Sequence, residues 1–315
     1  MNEEEYLWDR SGEPTPDLAH LEQVLGELRW SGMPPRRWYK KRWWMIATAA
    51  TVLLCLSAAF FVQRMHTLRP VTSWQLSLGG QKARPVRAGQ VVETRGATPG
   101  TMKSELIGTV GIEPNSRLRL LVARGDEQRF ALDHGTIHAL IWAPPAKFVV
   151  DTPSAKAVDL GCQYSLRVAK DGKGFLTVEV GWVAFQWHSL ESFIPAGAAC
   201  TTRPGHGPDT PHFLDAPPVL TKAVAAFDLT GNAQELDAAL PAARPRDALT
   251  LWHLLQRTQG QERAKVFDRF ATLVNLPPGL TRDGVVSGDR KSMDAAWDAL
   301  QLGNTSWWRE WKREW

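Results

Sequence analysis

Residues 111–139 read GIEPNSRLRLLVARGDEQRFALDHGTIHA, and their period decides the fold class. The piece SRLRLLV at 116–122 alternates polar with apolar residues, the two-residue repeat that turns one side of a strand toward a core. The turn former EPNS at 113–116 sets it off from the run before it. The same texture extends in both directions. Runs rich in Val, Ile, Leu, Phe and Trp occur at 90–94, 106–111, 117–122, 128–132, 136–142, 147–151, 162–168, 175–180 and 183–187. Turn signals such as KDGKG at 170–174 separate them. Many short strands with regular turns predict a mainly β domain over 64–200.

Downstream the period changes. Residues 201–218, TTRPGHGPDTPHFLDAPP, are rich in proline and glycine and carry no period, which predicts a connector. From 219 to 315 the spacing is helical. Helices are expected at 219–229, 233–240, 245–258, 261–274 and 289–300, with Leu251, Trp252, Leu254 and Leu255 supplying a buried face. A helix-hairpin array fits this α-helical region, without a clean repeat length. The chain ends WWREWKREW, placing Trp307, Trp308, Trp311 and Trp315 on one side of a helix. The mixed charge around them favours docking on the preceding helices over an interfacial membrane anchor.

Upstream, 43–63 reads WWMIATAATVLLCLSAAFFVQ, uncharged between Arg42 and Arg64. About 20 apolar residues cross a bilayer, and the run begins too late for a cleaved signal peptide. A transmembrane helix is therefore expected. Arg29, Arg36, Arg37, Lys40, Lys41 and Arg42 precede it, against Arg64, Arg69 and Lys82 after it. That bias predicts a single-pass inner-membrane protein with a cytoplasmic head over 1–42 and the bulk of the chain extracytoplasmic. Within the head, Thr15 as N-cap and Pro16 at the first helical position open an amphipathic helix over 16–30. Leu18, Leu21, Leu25 and Leu28 line one side. This stripe is either a docking surface for a protein partner or the underside of a helix that lies on a membrane or pairs with its own copy.

Residue patterns that carry chemistry are few. The net charge of +4 over 315 residues argues against a general nucleic-acid binder. No HExxH, GxSxG, phosphate loop or GxGxxG is present, so no catalytic or cofactor-binding residue is expected and the chain is read as non-enzymatic. His134 and His138 lie four apart in strand context, two ligands without a third, and no metal site is expected. Cys55 sits in the apolar run. Cys162 and Cys200 fall on the expected extracytoplasmic side, where a disulfide between them is expected.

Five pieces of the β region carry a family resemblance: GIEPNSRLRL at 111–120, ALDHGTIHA at 131–139, FVVDTPSA at 148–155, AVDLGCQY at 157–164 and VEVGWV at 178–183. In this order and spacing they resemble the FecR family, over about a third of the chain. Gly111, Gly135, Gly161 and Gly181 flank strands, where turns call for positive φ. Thr152 and Pro153 end a strand, and Asp151 and Asp159 accept backbone N–H groups beside them. These are scaffold positions. The resemblance implies a β-solenoid or two-layer β domain in a membrane-spanning regulator that holds an extracytoplasmic function sigma factor through its head and receives a signal from an envelope protein outside. Two departures stand out. The head is short for a full sigma-binding domain, and the C-terminal region reads helical. The alternative is an envelope scaffold with no sigma partner, its head serving only as anchor.

Overall fold

A computed structural model of the chain describes residues 16–27 and 73–303. The chain divides into two units, Met1–Leu68 and Arg69–Trp315. In the first, the described element is helix α1 (Pro16–Glu27).

The second unit begins with the strands β1 (Trp74–Leu78), β2 (Arg84–Val86), β3 (Val91–Glu93), β4 (Gly100–Ser104), β5 (Gly108–Ile112), β6 (Arg117–Arg124), β7 (Glu127–Ile141) and β8 (Phe148–Asp151). It continues through β9 (Lys156–Asp159), β10 (Gln163–Val168), β11 (Gly174–Val180), β12 (Trp182–Trp187), β13 (Leu190–Pro195), β14 (Ala198–Arg203), β15 (Gly207–Pro208) and β16 (His212–Phe213).

The long strand β7 organises them. Its first half pairs with β6 and, in parallel, with β8. Its second half pairs antiparallel with β5 and β10. The first half belongs to a sheet ordered β3-β6-β7-β8-β9-β12-β13, and the second to a sheet ordered β2-β1-β4-β5-β7-β10-β11-β14-β15. The changeover falls at Gly135, where φ is +103°. Only glycine fits there, because a Cβ would collide with Ser116. Ser116 is itself tied down: its N–H donates to Thr94 Oγ1 (2.9 Å) and its Oγ accepts from the Thr136 N–H (3.0 Å).

The two sheets close on one core. Trp74 of β1 packs edge-on against Phe130 of β7 (centroids 5.1 Å apart), and both pack on Phe148 of β8. The Trp74 indole N–H donates to Gln128 Oε1 (2.9 Å), so the ring is buried without an orphaned donor. Strand alternation supplies the rest: β4 buries Gly100, Met102 and Ser104 while Thr101 and Lys103 face water. Of the two expected architectures, layered sheets fit. A solenoid stacks parallel strands, and β7–β8 is the parallel pair among the described strands.

Helices follow: α2 (Pro218–Thr230), α3 (Ala233–Ala242), a 3-10 turn (Pro245–Asp247), α4 (Ala248–Arg257), α5 (Gly260–Ala271), α6 (Arg282–Ser287) and α7 (Arg290–Asp298). Helix α4 buries every residue from Ala248 to Leu255, as a helix must when it is enclosed on all sides. It seals the edge strand β13. His253 Nε2 accepts the Phe193 N–H (3.0 Å), which fixes the imidazole tautomer, and Nδ1–H donates to the Leu249 carbonyl (2.9 Å). One turn on, the Arg257 guanidinium donates to Ser192 Oγ (2.7 Å) and to the Asp209 carbonyl (3.1 Å). An edge that would otherwise offer unpaired groups is thus covered. Trp297 of α7 completes the seam, in ring contact with Trp182, Phe193 and Trp252.

The transmembrane helix expected over 43–63 finds no support among the described residues. No helix among the described residues is long and apolar enough to cross a membrane. The longest, α2, has 13 residues against the ~20 that the hydrocarbon core requires. Residues 43–63 themselves lie outside the described residues. The described residues form a β-rich body with helices and lend no support to the expected single-pass inner-membrane location with its cytoplasmic head.

The expected Cys162–Cys200 disulfide is also corrected: both thiols are free and buried. Strand β11 lies between β10, which Cys162 precedes, and β14, which holds Cys200. Two strand spacings are about 10 Å, and the register adds about four residues of offset, whereas bridged Cα atoms lie within about 7 Å. The proline-rich stretch 201–218 is more ordered than a connector. It finishes β14 and supplies β15 and β16, pairs too short to show a period in sequence.

Candidate functional site

Helix α1 opens at Pro16, as expected, with Asp17 in the first turn, where the helix dipole favours a negative charge. None of its residues is buried. Leu18 is half-buried, while Leu21 (55% exposed), Val24 (47%) and Leu25 (57%) form an apolar stripe open to solvent. Thr15 and Leu28 lie outside the described residues. A 12-residue helix in water is marginal by itself, so a surface that covers this stripe stabilises the helix as well as the contact.

A second assembly lies in the body, at one end of the first sheet. Asp151 of β8 stands opposite Lys156 of β9, Lys156 opposite Gln186 of β12, and Gln186 opposite Glu191 of β13. Directly opposed residues share a face, so these four form one polar row. The Arg129 guanidinium grips Asp151 with two hydrogen bonds (2.7 and 3.2 Å). That bond raises the Arg129 pKa. Burial pushes the Lys156 ammonium down. Gln186 is 8% exposed, and its Nε2–H donates to Glu191 Oε1 (2.7 Å). Its Oε1 is buried with no hydrogen-bond partner among the described residues. Asp151, Thr152, Ala155, Lys156, Gln186, Trp187 and His188 line a cavity of about 410 Å³ at this end.

The scaffold positions sort by environment. Gly161 (φ +86°) and Gly181 (φ +75°) take the left-handed conformation expected of them, while Gly111 instead sits inside β5. Thr152 Oγ1 accepts the Ala155 N–H (3.0 Å) and closes the turn around Pro153. Asp159 is buried, and its carboxyl accepts from the Gly161 N–H (2.7 Å) and the Cys162 thiol. Burial pushes its pKa up to about 7. Burial and the Asp159 charge raise the Cys162 thiol far above its ordinary range, and Tyr164 beside it shifts the same way. Burial lowers His253 to about 3.

His134 and His138 do not act together, because Gly135 sends them to different sheets. His138 stands at the surface between Ser165 Oγ (2.8 Å) and Glu113 Oε1 (2.7 Å). No three His, Cys, Asp or Glu side chains among the described residues are placed to hold a metal ion.

No family model matches the chain, and no curated protein matches it. Two crystal structures of a proposed anti-sigma factor from Parabacteroides distasonis are similar in part. One is 14% identical with a TM-score of 0.35, over 42% of this chain and 63% of that one. The other is 13% identical with a TM-score of 0.35, over 48% of this chain and 74% of that one. The first match thus spans less than two thirds of that protein's length.

Proposed function

We propose that this chain is a non-catalytic regulator that captures a protein partner, a sigma factor by class, through helix α1. The observation that carries the reading is the stripe of Leu21, Val24 and Leu25, exposed on a helix with no buried residue. The FecR-like order of motifs in the β region supports a regulatory role. Burying one leucine is worth roughly 1.5–3 kcal/mol. The Leu21→Asp/Leu25→Asp variant therefore weakens capture about a hundredfold or more.

The test is recovery of partners from the chain's own host by crosslinking to the full-length protein, with mass spectrometry of what is bound. A sigma factor recovered with the wild type and lost with the variant supports the reading. A sigma factor held equally by the variant removes α1 as the contact, and its absence from the wild-type sample rejects the partner class. The polar row favours a second reading, an interaction scaffold that works through the body alone. That reading predicts that deleting residues 1–30 leaves partner recovery intact.

A further inference from the structure

Where the helices meet the edge of the first sheet, a cavity of about 460 Å³ stays open. Phe213 and Leu249 are buried in its wall, while Trp182, Val274, Leu300 and Leu302 are half-buried along it. Arg246 supplies its charged side. The guanidinium lies over the Phe213 ring, 4.2 Å from the centroid, and pairs with Asp215 at 3.3 Å. Trp182 is also in ring contact with Trp297 (centroids 5.8 Å apart), so the cavity is the open end of the aromatic seam that α7 completes. The chain itself arrives here. After α7 the Leu300 N–H donates to the Trp297 carbonyl (2.9 Å), and the Trp297 indole N–H donates to the Gly303 carbonyl (2.8 Å). These two bonds hold 300–303 at the cavity wall. Residues 304–315, NTSWWREWKREW, follow directly and lie outside the described residues.

We propose that the chain's own segment 304–315 docks on this cavity, with an indole of the Trp307–Trp308 pair seated among Trp182, Leu249 and Val274. The contact is independent of α1 and its partner. Three features favour this occupant. The first is reach. Trp307 is five residues beyond Leu302, and five residues span at most about 17 Å even when fully extended, so both indoles are tethered close to the cavity. A tether that short gives an effective concentration on the order of millimolar, which a free ligand or a second copy must outcompete. The second is chemistry. An indole brings a large apolar body to an aromatic and aliphatic wall, and its face is the best ring partner for a guanidinium such as that of Arg246. The third is charge. Arg309, Glu310 and Lys312 follow the tryptophans with both signs, and the Arg246–Asp215 pair beside the cavity also carries both. A purely anionic or cationic partner would meet one like charge there.

The test places the photo-crosslinker p-benzoylphenylalanine at position 307 and, separately, at position 308 of the full-length chain, and maps the products of irradiation by peptide mass spectrometry. The expected result, from at least one position, is a crosslink within one chain to 245–249 or to Val274, with a yield that does not change as the protein is diluted. Ala196 lines the same cavity and is exposed, so Ala196→Trp fills the space from its mouth. In that background the crosslink should fall at least about fivefold, in protein with wild-type circular dichroism. If Ala196→Trp fails to fold, the position and the dilution behaviour of the crosslink decide alone. No crosslink to the cavity from either position overturns the proposal, as does an undiminished yield in folded Ala196→Trp. Crosslinks that join two chains and vanish on dilution assign the cavity to a second copy and overturn it equally.

Discussion

Asp159 and His253 titrate in opposite senses, and this makes a quantitative test of the folded body. Asp159 has its pKa raised by burial from 3.8 to about 7. The folded state therefore holds a proton that the unfolded state releases, so this contribution is full below 3.8 and is lost as pH rises through 7. His253 has its pKa lowered by burial from 6.5 to about 3. Here the unfolded state takes the proton first, so stability is present above 6.5 and is lost as pH falls toward 3. One pKa unit is worth about 1.4 kcal/mol. Between pH 7 and 5, Asp159 then adds about 2 kcal/mol and His253 removes about 2 kcal/mol. The two nearly cancel in the wild type.

Substitution unmasks each group. Asp159→Asn keeps an acceptor for the Gly161 N–H but cannot titrate, so its stability should fall by about 2 kcal/mol relative to wild type on going from pH 7 to 5. His253→Gln retains a side-chain carbonyl for the Phe193 N–H and should gain a similar amount over the same interval. Burial also lowers His212, but that term is common to all three proteins and drops out of the differences. Urea unfolding followed by tryptophan fluorescence at pH 5, 6 and 7 measures this. If both variants track the wild-type pH dependence within about 0.5 kcal/mol, the reasoning from burial is refuted.

Other outcomes follow from single contacts. Gly135→Ala should destabilise the body by about 2 kcal/mol or more, because it adds both a strained φ and a collision with Ser116; an unchanged urea midpoint would contradict this. Cys162 and Cys200 should resist iodoacetamide in the native protein and both label in urea without reductant, as read by peptide mass spectrometry; an unlabelled pair in urea would restore the disulfide. Trp297→Ala should cost about 3–5 kcal/mol, because it empties the seam among Trp182, Phe193 and Trp252, and the midpoint of thermal unfolding should drop accordingly.

Much of the body was legible where periodicity is local. The alternation in 116–122 marks β6, and the helical spacing marks α2, α3, α5 and α7 to within a few residues. Two expected strands, 128–132 and 136–142, are one strand, because a glycine that looks like a turn signal serves instead as the corner between sheets. Strands β1, β2, β4, β9 and β13 to β16 lay outside the expected runs, because most are short or flanked by glycine and proline, so tertiary pairing decides them. Helix α6 has six residues and no room for a period. At the candidate sites, the leucine stripe was visible because one helix carries it. The polar row was not, since Asp151, Lys156, Gln186 and Glu191 converge only through the register of four strands. His253 and Phe193 are 60 residues apart, and nothing in either neighbourhood announces the other.

The central claim is that α1 is the surface that holds the partner. Its most direct test is the dissociation constant between the purified full-length chain and the sigma factor recovered with it, measured by biolayer interferometry for the wild type and for Leu21→Asp/Leu25→Asp. The account predicts saturable binding by the wild type and a loss of about a hundredfold or more in the variant. Equal affinity in the two proteins would contradict it.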